Sequence, residues 1–140
     1  MSEQNKTTFR RMLTEVIVGG NLDLIDELVQ PDFVNHVYKN SGEVIQQVGI
    51  ETFKAAQAAM RSTFAETQMD LHHLIAEEDR VVAHYRLRGL YTGEVRGAAV
   101  SSKPIHMDGI TIVRFVDGKF AERWAVLDMI PMYKQLGALP

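Results

Sequence analysis

The stretch Asp117-Gly118-Lys119-Phe120-Ala121-Glu122-Arg123-Trp124-Ala125-Val126-Leu127-Asp128 decides the fold class. Asp-Gly at its head is a two-residue hairpin signal, because both central residues of that turn take positive φ. The ten residues that follow read as a strand, in which side chains two apart share a face. Glu122, Trp124, Val126 and Asp128 therefore lie on one face, and Arg123, Ala125 and Leu127 on the other. Residues 105–116 read as the partner strand, and a short helix is expected after it at 130–137.

Working back from the hairpin, residues 69–77 and 81–92 read as two more strands joined by a Glu78-Asp79 turn. Gly93 to Pro104 is longer than a hairpin needs and is a candidate pocket rim. The first half differs. Phe9, Met12, Leu13, Val16 and Ile17 follow one helical face, and Gly19-Gly20 stops that helix. Asn21 is placed to cap a short second helix that buries Leu22, Ile25 and Leu28 and ends at Pro31. Residues 33–38 read as a first strand. A third helix is expected from Gly49 to Glu66, with Ile50, Phe53, Gln57, Met60 and Phe64 on one face. Helices first and a strand meander after predict an α+β fold: a curved antiparallel sheet wrapped around N-terminal helices, in one domain spanning 1–140.

The composition, 140 residues with 46% hydrophobic and 24% charged, is that of an ordinary globular domain. A formal net charge of −3 leaves no basic surplus for phosphates, so no nucleic-acid partner is expected. The strand 81–92 agrees: His84, Arg86 and Arg88 alternate with Val81, Ala83, Tyr85 and Leu87, whereas an RNA-binding sheet interleaves basic and aromatic residues on one face. The apolar parity is expected to face the helices, and the basic one to face solvent or acidic neighbours. Cysteine is absent, which excludes disulfides, thiolate nucleophiles and cysteine-ligated zinc. A polar N-terminus and the lack of any apolar run near 20 residues point to a cytoplasmic protein without a membrane span. GxSxG, HExxH and glycine-rich phosphate motifs are missing. His72 and His73, as neighbours on a strand, are expected on opposite faces and unable to share a metal. Neither a metal nor a cofactor is expected.

One tryptophan on the same face as two carboxylates suggests a pocket with an aromatic wall and acidic side chains. Apolar burial disfavours a charged carboxylate, which would suit Asp128 to general acid/base work. The competing reading has Asp128 capping the helix that begins near Met129 or Ile130, and Glu122 paired with an arginine. His36, in an apolar strand, either faces a cavity or is satisfied by a backbone carbonyl.

The quoted stretch, running on to Gln135-Leu136-Gly137, closely resembles the C-terminal signature of the SnoaL-like polyketide cyclases, also called ester cyclases. That signature is a DGK turn, E-x-W, an aspartate four residues beyond the Trp, and QLG. Asp79-Arg80-Val81-Val82, with Gly89, Thr92-Gly93 and Gly97, resembles the family's central hairpin and loop. The resemblance extends over nearly the whole chain. It implies the cone-shaped fold of nuclear transport factor 2 and ketosteroid isomerase, with one deep apolar pocket. It also implies ring closure by intramolecular aldol condensation without metal or organic cofactor. Asp128 would then be the general acid/base, Trp124 a pocket wall, and His36 and Tyr38 hydrogen-bond partners of the enolate. Glu122, Phe53 and Met60 complete the expected lining. The substrate would be small and hydrophobic or aromatic, and a homodimer would form through the outer face of the sheet. The same cone also houses isomerases, dehydratases, epoxide hydrolases and binding domains, so a non-catalytic ligand-binding or dimerisation module is the alternative. His106 and Asp108 bring more charge to the fourth strand than such a pocket leads one to expect.

Overall fold

A computed structural model of the chain describes residues 2–95, 98–99 and 102–137. The first helix, α1 (Ser2–Arg11), continues without a break into a π-helical segment, Met12–Val18. Its buried side chains, Phe9, Met12, Leu13 and Val16, are those the periodicity selects. The helix stops where Gly20 turns left-handed at φ 76°, and Arg61 donates to the terminal carbonyls of Ile17 and Val18. A 3-10 turn (Leu22–Leu24) leads into the single turn α2 (Ile25–Leu28). Asn21 occupies the cap position but makes no side-chain cap bond, contrary to expectation.

The strands are β1 (Val29–Tyr38), β2 (Val44–Val48), β3 (Phe64–Glu77), β4 (Arg80–Tyr91), β5 (Glu94–Val95), β6 (Ala98–Ala99), β7 (Lys103–Val116) and β8 (Lys119–Asp128). Helix α3 (Ile50–Thr63) separates β2 from β3, and α4 (Ile130–Leu136) follows β8. The hairpin turn is as read, with Asp117 at φ 52° and Gly118 at φ 75°. Three differences from the sequence reading matter. β2 was not anticipated, since its exposed residues give no alternation of burial. α3 ends at Thr63 because Phe64 is already extended and pairs with Tyr91. Part of the loop expected as a rim forms the small β5–β6 hairpin, and residues 96–97 and 100–101 lie outside the described residues.

The main sheet runs β2-β1-β8-β7-β4-β3. It is open, not a closed barrel, since its edges β2 and β3 do not pair with each other. Its pairs are antiparallel except β1–β8, which is parallel. The curved antiparallel sheet read from the sequence is present, with this one parallel pair inside it. Register shifts within β3, β1–β8 and β7–β8 mark the bulges that bend such a sheet.

Helices cover one face. Phe9, Met12, Val16, Ile25, Phe33, Phe53, Val81, Ala83, Val113, Phe115 and Phe120 make the main core there. Its ring pairs include Phe33–Phe53 at 5.1 Å and Phe115–Phe120 at 5.1 Å. Each such side chain stabilises the fold by about 1.5–3 kcal/mol. Farther along the same face a second apolar body, Leu87, Ile105, Met107 and Met132, is closed by α4.

Candidate active site on the concave face

Between these two apolar bodies runs a polar belt. Along β7 the inward residues pass from Val113 through Thr111 and Gly109 to Met107; along β4 they pass from Ala83 through Tyr85 to Leu87. Asn35 on β1 and Arg123 on β8 stand directly beside each other and join this belt. Arg123 Nη1 donates to Asn35 Oδ1 at 3.1 Å, and Nη2 reaches Tyr85 Oη at 3.2 Å and Thr111 Oγ1 at 3.3 Å. The two hydroxyls lie 2.9 Å apart. Asn35 is held from behind by its amide donating to Gln47 Oε1 at 3.0 Å. Tyr85 lies over Gly109, its cross-strand partner. A Cβ at Gly109 would sit 2.8 Å from the ring, so the glycine makes room for the tyrosine.

Asn35, Tyr85 and Thr111 are buried, whereas Arg123 keeps partial access to solvent. β8 is flanked on both sides by strands, so that access opens from the concave side. Arg123 enters no ion pair among the described residues, and every acceptor it bonds is neutral. Nε–H has no partner there either. Since no fully enclosed side-chain polar atom lacks one, Nε borders accessible space.

The opposite, convex face carries the Trp124 set. His36 stacks on Trp124 with centroids 5.6 Å apart, and its Nε2 lies 2.8 Å from Glu122 Oε2. Arg114 donates to the other Glu122 oxygen at 3.3 Å. The His36 bond first, then Arg114, holds the Glu122 carboxyl below the usual glutamate range. Arg80 covers the tryptophan ring at 5.6 Å. In neighbouring rows, Arg86 forks onto Asp108 at 2.8 and 3.2 Å, and Arg88 onto Asp70 at 2.7 and 3.0 Å. These arginines keep both aspartates more acidic than usual. Thus the basic parity of β4 meets acidic neighbours, and Asp108 has a structural partner.

The residues expected to form one pocket are therefore divided by the sheet. His36, Trp124 and Glu122 do come together, with Tyr38 and Asp128 on the same face, but Phe53 and Met60 belong to the helix-covered side. Phe53 is core, packed on Phe33. Asp128 is exposed, and its Oδ1 accepts from Ile130 N–H at 3.2 Å at the entry to α4, whose N-cap residue Met129 makes no side-chain cap bond; Glu122 has its arginine. His106 is clamped by Gln135 of the QLG motif, which accepts from its backbone N–H at 3.0 Å and lies 3.1 Å from ring Nδ1. The parity argument for His72 and His73 is also corrected. A bulge between Leu71 and His73 sets both rings against His84, at 5.1 and 5.3 Å. Among the described residues no group of three or more acidic, histidine or cysteine side chains could hold a metal.

Two open hollows of about 340 and 370 Å³ are present, one lined by Gln68, Arg88, Ile105, His106 and Gln135, the other by Asp32, Val34, Arg114 and Glu122. Neither is lined by Asp128 or Trp124, nor by Arg123, Tyr85, Thr111 or Asn35. Sequence reading missed Arg123, Tyr85, Thr111 and Asn35 as a group. The available signal was an arginine on the same parity as Ala125 and Leu127.

A curved open sheet around N-terminal helices, with a polar belt set into its concave face, defines the class as an α+β cone. The profile of the SnoaL-like polyketide cyclases matches residues 7–136. Aklanonic acid methyl ester cyclase AcmA of Streptomyces galilaeus is 30% identical over 139 residues, covering 98% of this chain and 92% of the relative. The solved structure of AclR from Streptomyces galilaeus superposes with a TM-score of 0.84 at 24% identity, over 100% of both chains. TsrD from Streptomyces laurentii does so with 0.79 at 26% identity, over 98% of this chain and 97% of that one. The chain belongs to the SnoaL-like polyketide cyclase family and so stands among enzymes.

Proposed function

We propose that this protein is a cofactor-free cyclase that closes a ring in a small, carbonyl-rich aromatic substrate bound on the concave face. The observation that carries this reading is the Arg123–Tyr85–Thr111–Asn35 cluster lying between two apolar bodies in a chain of this family. AcmA is by its name a cyclase of a polyketide-type methyl ester, which supports the substrate class.

In the proposed reaction a solvent water at the open side of Arg123 takes the proton from the carbon α to a carbonyl, and the C–H electron pair moves onto the carbonyl oxygen. The Tyr85 hydroxyl, polarised by the Arg123 charge beside it, is a donor fixed in advance near where that charge develops; one such donor is worth about 10²–10³ in rate. The enolate carbon then bonds to a second carbonyl carbon of the same molecule, whose C=O π pair becomes an alkoxide; Tyr85 hands that alkoxide a proton and regains one from the protonated water. Leu87, Met107 and Met132 beside the cluster offer apolar contacts that orient the substrate. Asp128 holds the Ile130 N–H at the entry to α4, and the His36–Glu122–Arg114 group braces the convex face.

Turnover of an aromatic β-dicarbonyl ester by the parent and three variants tests this. R123Q and Y85F should each lower kcat by about 10²–10³, with D128N near the parent rate. Loss of turnover in D128N with R123Q unaffected would return the acid/base role to Asp128 and defeat the reading. A second reading, a non-catalytic binder of the same ligand class, is favoured by one observation: no carboxylate or imidazole hydrogen-bonds the cluster among the described residues. Saturable binding without turnover would select it. A cysteine-free chain fits a cytoplasmic location. The exposed apolar face described below supports a homodimer.

A further inference from the structure

Resting on the reading that the concave cluster is the substrate site, we infer that its ligand is an anion: a free aromatic carboxylic acid, with Arg123 as its counter-ion. A guanidinium carries a fixed charge, and removing it from water is costly unless an opposite charge answers it. On the convex face of this same sheet the rule is obeyed, for Arg86, Arg88 and Arg114 each hold a carboxylate. Arg123 is the exception. Its head lies among Asn35, Tyr85 and Thr111, which are only 3%, 5% and 1% exposed, and all three offer neutral acceptors.

The geometry leaves a ligand somewhere to bind. A guanidinium has five N–H donors in a planar fork. The bonds to Asn35, Tyr85 and Thr111 all fall on Nη1 and Nη2, so Nε–H and part of Nη1 remain for an incoming group. Nε borders accessible space on the concave side. A carboxylate oxygen on Nε–H would gain one charge-assisted bond; the two-pronged grip that Arg86 and Arg88 make through Nε and Nη2 is closed at Arg123, whose Nη2 holds Tyr85 and Thr111. A methyl ester of the same acid offers only a neutral carbonyl oxygen. Leu87 and Met107, toward α4, keep a little exposed surface and offer an aromatic body its apolar contact, whereas Ala83 and Val113 on the other side are wholly buried. The inferred preference is thus for the acid over its ester, which is opposite to the neutral ester in AcmA's name.

Benzoate and its uncharged isostere benzamide are the probes, titrated into the whole protein and followed by calorimetry and by thermal shift. Benzoate should bind at least tenfold more tightly than benzamide, and in R123Q that preference should vanish. Equal affinity for the two in the parent overturns the inference, as does an undiminished benzoate preference in R123Q. Absence of saturable benzoate binding up to about 10 mM, where even weak sites fill, also overturns it. Should R123Q fail to fold, the parent's benzoate–benzamide ratio decides alone. The cyclase reading fails separately: selective benzoate binding with no turnover of any β-dicarbonyl substrate removes that reading and leaves this inference intact. Turnover of an ester with no benzoate preference does the reverse.

Discussion

Gly109 shows how much one side chain's absence decides. Any Cβ there would sit 2.8 Å from the Tyr85 hydroxyl and ring, in a strand pair that leaves the backbone no slack. Gly109→Ala should push Tyr85 off Arg123 and Thr111 and cost about 1–3 kcal/mol, as overpacked cores do. Thermal unfolding together with the tyrosine's near-ultraviolet dichroism checks this. An alanine variant with the parent's Tm and spectrum would mean that Tyr85 is not held by that gap. Arg123 makes the complementary point. The sequence presents it one position from the tryptophan that drew attention, and strand parity correctly separates the two. What parity alone could not say was which face is enclosed, because Trp124 with two carboxylates looks as pocket-like as Arg123 with Ala125 and Leu127. The decision lies in where the helices pack, and that is set by Phe9, Val16 and Phe53, far away in sequence.

At the scale of elements, the second half of the chain was legible because its strands are long and β4 and β7 alternate cleanly; β8 begins after the Asp117-Gly118 turn of the quoted stretch and ends with it. β2 was not legible, since it is a short edge strand with little buried. The His72–His73 bulge was hidden for another reason: a bulge changes register without changing composition. The rows of charge across the convex face have a pH signature. Glu122's carboxyl is lowered by His36 and Arg114, so its pairing stabilises the fold fully above the ordinary glutamate value, about 4.3, and is lost as pH falls through the lower folded value. The Tm difference between the parent and E122Q should therefore be constant from neutral pH to about 5 and shrink below about 4. A difference that does not change with acidification would show that the His36–Glu122–Arg114 group carries no linkage.

At the scale of the molecule, the helices cover only one side of the sheet. On the other, Ile110 and Val126 are paired across strands and stand 51% and 59% exposed, with Ile112 and Trp124 in the next row and Tyr38 in continuation. An apolar patch rimmed by forked ion pairs is the kind of surface that a second copy covers. Sedimentation should give a dimer at micromolar concentration, and I110D should give a folded monomer. A monomeric parent would leave the face without that role. The parallel pairing of β1 with β8 has its own consequence, which concerns the order of events during synthesis. Asn35 and Arg123 lie 88 residues apart in the chain yet side by side in the sheet. Until the last strand has left the ribosome, β1 has only β2 for a neighbour, and an isolated two-stranded ribbon is marginal in water. The polar belt is therefore among the last parts to be completed: Tyr85 and Thr111 can meet once β7 is made, but Asn35 and Arg123 join them only when both ends of the molecule have met.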